Sequence, residues 1–237
     1  MQLSLGDVTI DVVLKNIKNI HLSVYPPAGQ VRISAPARME LDTVRLFALS
    51  KLGWIKEQQR KVQAQPRETP RENLERESHY VWGKRYLLEI HERNSAAKVE
   101  LAHKSLRLWV RPQTPKPKRE ALLAGWYREQ LSRAATPLIE KWQAKLGVKV
   151  ESLTVRHMKT KWGSCTPVRQ SIRLNTELAK KPPICLEYII VHELMHLLEP
   201  SHNARFVSLM SQHLPSWTLY RDELNRLPLR YENWPSE

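Results

Sequence analysis

From Leu3 to Ser34 the apolar positions alternate with polar ones or run β-branched, which is strand patterning, over Leu3–Leu14, Ile20–Val24 and Val31–Ser34. Asn16 and Asn19 around Lys18, and Pro26-Pro27-Ala28-Gly29, separate these runs as turns. The rhythm then lengthens. Leu41, Val44, Ala48, Leu52, Ile55 and Val62 recur every three to four residues, so Leu41–Gln63 is expected as one helix, with Glu40 and Asp42 at its positively polarised start. Gln65–Glu77 is polar and carries prolines, as a linker or exposed loop does. Strand patterning returns over Tyr80–Trp82, Tyr86–Ile90, Lys98–Leu101 and Leu106–Val110, expected as a small antiparallel sheet, and the prolines of Pro112–Lys118 form a second break.

Beyond that break the period is helical again. Leu123, Tyr127, Leu131, Ala134, Leu138, Trp142 and Leu146 form one stripe of a helix over Arg119–Leu146, with a kink expected at Pro137 and a C-cap at Gly147. Two strands, Ser152–His157 and Ser171–Asn175, are expected next, joined through a turn at Trp162-Gly163-Ser164. Ile184–Leu198 is apolar almost throughout, which marks a buried helix. Prolines 182 and 183 suit its first turn, and Pro200 ends it. Helices over Asn203–Gln212 and near Trp217–Asn225 complete the chain, and no internal repeat is evident.

The buried helix contains His192-Glu193-Leu194-Met195-His196, an H-E-x-x-H pattern. On a helix, positions four apart share a face about 5–6 Å apart at Cβ. Two imidazoles so placed can hold a zinc ion and leave Glu193 beside it as a general base. Histidines and a glutamate in so apolar a segment are costly unless paired or metal-bound. A catalytic zinc takes three protein ligands and keeps one open position. His202, six residues past His196 and just beyond the break at Pro200, is the expected third ligand, and Glu199 is the alternative. The spacing equals that of the metzincin signature, but Glu199 stands where metzincins have glycine.

Several segments together carry a wider likeness: Trp162-Gly163-Ser164-Cys165, Ile172-Arg173-Leu174-Asn175, Ile190–His196 and His202-Asn203-Ala204-Arg205-Phe206. In the N-terminal half they are joined by Ile20–Val24, Val31–Pro36, Trp54-Ile55 and Gly83–Tyr86. Over nearly its whole length the chain resembles the YgjP-like metallopeptidase family, related to the WLM and SprT-like zinc peptidases. The resemblance implies that His192, His196 and His202 ligate Zn2+, that Glu193 is the general base, and that the substrate is a protein or peptide. One departure is Val207, where an aromatic residue often follows the phenylalanine. The expected fold is α+β. A small antiparallel β-rich region with one helix (1–112) is followed by a minimal zincin-like metallopeptidase core (113–237).

Composition changes this picture in a few places. Two cysteines, Cys165 and Cys185, are too few for a disulfide framework and read as buried thiols. No apolar run is long enough to span a membrane and no signal peptide is recognised, so the cytoplasm is the default. The net charge of +14 is concentrated at Lys104–Arg119, at Arg156–Lys161 and along Lys51, Lys56, Arg60 and Lys61. Such a surface leaves nucleic acid open as a partner, with Trp109 and Trp162 inside two of the clusters as stacking candidates. Two alternative functions follow: a metal-dependent nucleotide (phosphoanhydride) hydrolase, and a zinc-stabilised nucleic-acid-binding module. Glu193 argues against the second, because a structural zinc site needs no carboxylate poised at the metal. His157, Lys159, Lys161 and Arg173 are candidates to stabilise an oxyanion. The stretch Arg156–Lys161 is a candidate edge strand for pairing with an extended peptide.

Overall fold

The computed structural model describes residues 1–25, 28–64, 76–158 and 161–227. They form an α+β protein whose contacts divide into two compact units near residue 70. The sequence-based boundary at 112/113 falls inside the second unit, and the expected linker Gln65–Glu77 lies almost wholly outside the described residues.

The first unit contains strands β1 (Gln2–Leu5), β2 (Val8–Lys15), β3 (His21–Tyr25) and β4 (Gln30–Pro36) in the order β1-β2-β4-β3. The expected single strand Leu3–Leu14 is a hairpin. Gly6 at φ 63° turns the chain, and Gly6-Asp7 is a two-residue turn signal hidden within the apolar run. Val8, Ile10 and Val12 of β2 and Val31, Ile33 and Ala35 of β4 face one way, as the alternation requires, and meet Val44, Ala48 and Ile55. Those three come from two helices rather than the expected one, α1 (Leu41–Ser50) and α2 (Leu52–Ala64). The break is at Lys51, whose N–H donates to the Ala48 carbonyl, while the Ser50 hydroxyl donates to that of Phe47. Gln59 and Gln63 of α2 donate to the carbonyls of Gly29 and Ala28 and fasten the helix to the β3–β4 turn.

The second unit begins with β5 (Ser78–Val81), β6 (Lys84–Glu92), β7 (Lys98–Leu101) and β8 (Ser105–Val110), in the order β5-β6-β8-β7. Neither four-stranded sheet is purely antiparallel: β2–β4 and β6–β8 are parallel pairs. In each sheet the later strand of the second hairpin, not the earlier, docks on the first hairpin, and local patterning keeps no record of that choice. The repeat absent from the sequence is thus present in the topology. Leu88, Leu106, Leu108 and Val110 pack on Leu123 of α3 (Lys116–Leu146), which runs unbroken through Pro137 and ends at Gly147 in the left-handed conformation.

A three-stranded sheet follows, β9 (Ser152–Arg156), β10 (Gly163–Thr166) and β11 (Ser171–Asn175), in the order β10-β11-β9. A short 3-10 segment, Thr176–Lys180, is buried throughout. Lys180 meets both carboxylate oxygens of Glu177 at 2.7 Å and lies over the ring of Tyr127, so the two buried charges satisfy one another. The hairpin turn at Trp82 and Gly83 donates to the carbonyls of Ala179 and Lys180. The largest apolar cluster joins α3 to α4 (Pro183–Met195), α5 (Ala204–His213) and α6 (Trp217–Arg226). Among the described residues no helix is long and apolar enough to cross a membrane.

Candidate metal centre

α4 is apolar on nearly every side and is therefore surrounded, with its start set by prolines 182 and 183. From α3, Lys141 and the indole N–H of Trp142 both bind the Glu187 carboxylate, at 2.8 and 2.9 Å, and fix the helix one turn before the histidines. His192 and His196 then stack one turn apart, with ring centroids separated by 5.0 Å. The helix ends at Met195, three residues earlier than expected, and its last carbonyl accepts from Leu198 and Glu199. Past Pro200, Asn203 caps α5 by accepting the Phe206 N–H at 3.0 Å.

That reversal brings His202 to ring-centroid distances of 4.9 Å from His192 and 4.6 Å from His196. Phe206 lies within 5.0 Å of all three rings and packs beneath them. One nitrogen of each imidazole lies within 4.8 Å of the others, and the Nε2 atoms of His192 and His202 are 3.0 Å apart. Converging ring nitrogens repel unless a proton or cation lies between them, and the spacing fits zinc–nitrogen bonds of about 2.0–2.1 Å. The donor set therefore suits a divalent ion. Burial, then the neighbouring imidazoles, hold His192 down at about 4, so it is neutral at pH 7 and able to act as a ligand.

Glu199, the alternative ligand, turns its carboxylate to Ser201. Its backbone carbonyl instead accepts from Nδ1 of His196 at 3.2 Å, which leaves Nε2 of that ring as the lone pair. Nδ1 of His192 is buried with no partner among the described residues.

Glu193 is buried on the side of α4 that faces β10. Burial pushes its carboxyl up to about 7, against the opposing pull of the Lys161 ammonium and the hydrogen bond from the Cys165 backbone N–H. Strand and helix come this close because residue 163 is glycine: a Cβ there would lie 2.6 Å from Glu193 Oε1. A cleft of about 450 Å³ opens over the cluster, walled by Trp162, Pro167, Tyr188 and Ile189. The Cys165 thiol, half-buried on this cleft, is pushed up to about 11 by burial and by Glu193. Burial does the same to Cys185, and both thiols are free.

Several expectations about the surroundings change. The strand edge that lines the cleft with the histidines is β10, not Arg156–Lys161: β9 stops at Arg156, and the Asn175 side chain binds the backbone at Met158 and Lys161, which belong to no strand. Of the oxyanion candidates, Lys161 lines the cleft, His157 and Arg173 do not, and Lys159 lies outside the described residues. Trp109 is stacked on His91 at 4.3 Å with Arg93 over its ring, so its faces are engaged within the sheet. Sequence reasoning named Gly163 and Asn175 only as parts of the segments that carry the family likeness and missed what they do at the site. It also missed Tyr188, which lies one helical turn before His192 and meets that ring edge-on at 5.9 Å.

The sequence model of the family described as YgjP-like, metallopeptidase domain, matches residues 18–227. No curated relative matches the chain. Among solved structures it is similar to the metallopeptidase zymogen abylysin of Pyrococcus abyssi, at 20% identity and a TM-score of 0.36, over 38% of this chain and 90% of that one. It is also similar to the zymogen jannalysin of Methanocaldococcus jannaschii, at 19% identity and a TM-score of 0.35, over 38% and 86% respectively. The family match runs through both compact units and takes in the whole histidine cluster, and the chain belongs to the YgjP-like metallopeptidase family.

Proposed function

We propose that the protein is a zinc-dependent peptidase in which His192, His196 and His202 hold the metal and Glu193 is the general base. The observation that carries this reading is the convergence of three imidazole nitrogens within 4.8 Å beside a buried carboxylate, in an open cleft. A bound zinc ion supplies a Lewis acid for the substrate carbonyl and lowers the pKa of coordinated water toward about 7. Glu193 takes the proton of the attacking water and returns it to the departing amine. The Cys165 N–H keeps its carboxylate aimed, and the walls of the cleft limit bulk water around it. The Glu199 carbonyl fixes the tautomer of His196. The outer edge of β10 offers backbone groups to an extended peptide, which would lie across the cleft as a further strand.

The test uses wild-type protein, Glu193→Gln and His202→Ala. Zinc content is measured by elemental analysis, and turnover on a peptide library and on nucleoside triphosphates. Wild type and Glu193→Gln should retain zinc while Glu193→Gln loses about 10²–10⁴-fold in peptide turnover, and His202→Ala should bind zinc more weakly. Equal turnover in wild type and Glu193→Gln, or hydrolysis of triphosphates with no peptide cleaved, would overturn the reading.

A further inference from the structure

Among the described residues Lys161 is the one lysine or arginine lining the cleft. Its ammonium is exposed, and acts through space on both Glu193 and His196. The backbone beneath it is tightly held. The side-chain amide of Asn175, itself buried, donates to the carbonyls of Lys161 at 2.8 Å and Met158 at 2.7 Å. The Asn175 backbone N–H donates to the Trp162 carbonyl at 2.8 Å. The Trp162 ring, which forms the adjoining wall, is in turn braced by the buried Lys181, whose ammonium lies 5.9 Å from the ring centre.

The rest of the lining explains what that charge is. Trp162, Pro167, Tyr188 and Ile189 are apolar or neutral, and Glu193 is occupied with the hydrogen bond from Cys165. With a divalent ion on the three imidazoles the cleft is positive, and a cationic side chain entering it would meet Lys161 and the ion together. Resting on the peptidase reading above, we infer that Lys161 sets substrate specificity: the cleft takes peptides that present a carboxylate beside the scissile bond, from an acidic side chain or from a free C-terminus.

The test measures binding as well as turnover. Peptides of one sequence carry Glu, Gln or Lys on either side of the bond, each with a free or an amidated C-terminus. Affinity for zinc-loaded Glu193→Gln protein is read by fluorescence anisotropy, with and without Lys161→Gln or Lys161→Arg, and kcat and KM are measured with Glu193 present. Carboxylate-bearing peptides should bind about three- to tenfold tighter than their amides, in line with a part-exposed ion pair. Lys161→Gln should abolish that preference through KM, with zinc content and affinity for the neutral peptide unchanged, and Lys161→Arg should restore it. Whichever arm carries the preference, side chain or C-terminus, identifies the source of the carboxylate. A preference that survives Lys161→Gln overturns the inference. So does an equal fall of kcat on acidic and neutral peptides with the carboxylate preference retained, which would mean that Lys161 acts on Glu193 or the oxyanion and not on the substrate's charge. Cleavage without charge preference defeats this inference alone, whereas a wild-type protein that neither binds nor cleaves any peptide defeats the peptidase reading as well.

Discussion

In the sheet of the first unit, hairpin β1–β2 turns through Gly6 into open space: among the described residues, its chain neighbours aside, no atom lies within 4 Å of where its Cβ would be. In the sheet of the second unit, which has the same strand order and the same mix of parallel and antiparallel pairs, hairpin β5–β6 turns through Trp82 and Gly83, both at positive φ. There a Cβ would lie 2.9 Å from Pro182 Cγ, and the turn's N–H groups are spent on Ala179 and Lys180. One arrangement of strands thus serves two ends. The first sheet closes a core with its own pair of helices. The second is fastened to the residue immediately before the helix that carries His192 and His196. Topology did not decide which sheet would support the chemistry; the contact made by a two-residue turn did.

The sharpest way to break this comparison is to empty each core in turn. Ile190→Ala, in the cluster around α4, should cost about 2–5 kcal/mol and weaken metal binding with it. Ile33→Ala should cost a similar amount in the first unit and leave zinc stoichiometry intact. Hydrogen exchange read by peptide, together with elemental analysis, separates the two, and zinc lost in Ile33→Ala would show that the units are not separate in this respect. Next come the turns themselves. Gly83→Ala meets both a positive φ and Pro182, and should cost about 2–4 kcal/mol. Gly6→Ala meets the φ alone and should cost about 1–2 kcal/mol. Denaturant melts that rank them equally would remove the distinction.

Smaller effects should come from charge. Burial alone would raise the Glu187 carboxyl, but its hydrogen bonds from Lys141 and Trp142 prevail and hold it below the ordinary value. The folded state therefore favours the ionised form. This contribution to stability is complete above the unfolded pKa of about 4.3 and is lost as the pH falls through the lower folded one. Glu187→Gln should cost about 1–2 kcal/mol at pH 7 and flatten the acid limb of the stability curve. An unchanged acid limb would contradict the pairing. In the first unit the Lys56 ammonium likewise lowers the carboxyl of Asp7, at 2.6 Å, but both groups are exposed. Lys56→Ala should leave the melting temperature unchanged within error, and a clear drop would show that this pair matters as the half-buried Glu187 contacts do.

The parts legible in advance were those set by local rules. Alternation placed most strands of both sheets, the helical period placed α3 to α6, and Gly147 and Asn203 capped their helices as such residues should. The three histidines were legible because a four-residue spacing on a helix and a proline-forced reversal both act at short range. The parallel pairs, the break at Lys51 and which sheet edge lines the cleft were not, since each depends on which distant segment docks. Gly163 and Asn175 belong to that class. The first matters only because Glu193 comes against it, and the second only because one amide reaches three segments.

At position 199 it is the peptide oxygen, not the glutamate side chain, that meets His196. Scanning mutagenesis, which trims side chains and spares the main chain, would therefore score this residue as dispensable. The course of the chain into Pro200 is what orients the imidazole, and only changes that redirect the backbone there would reveal it.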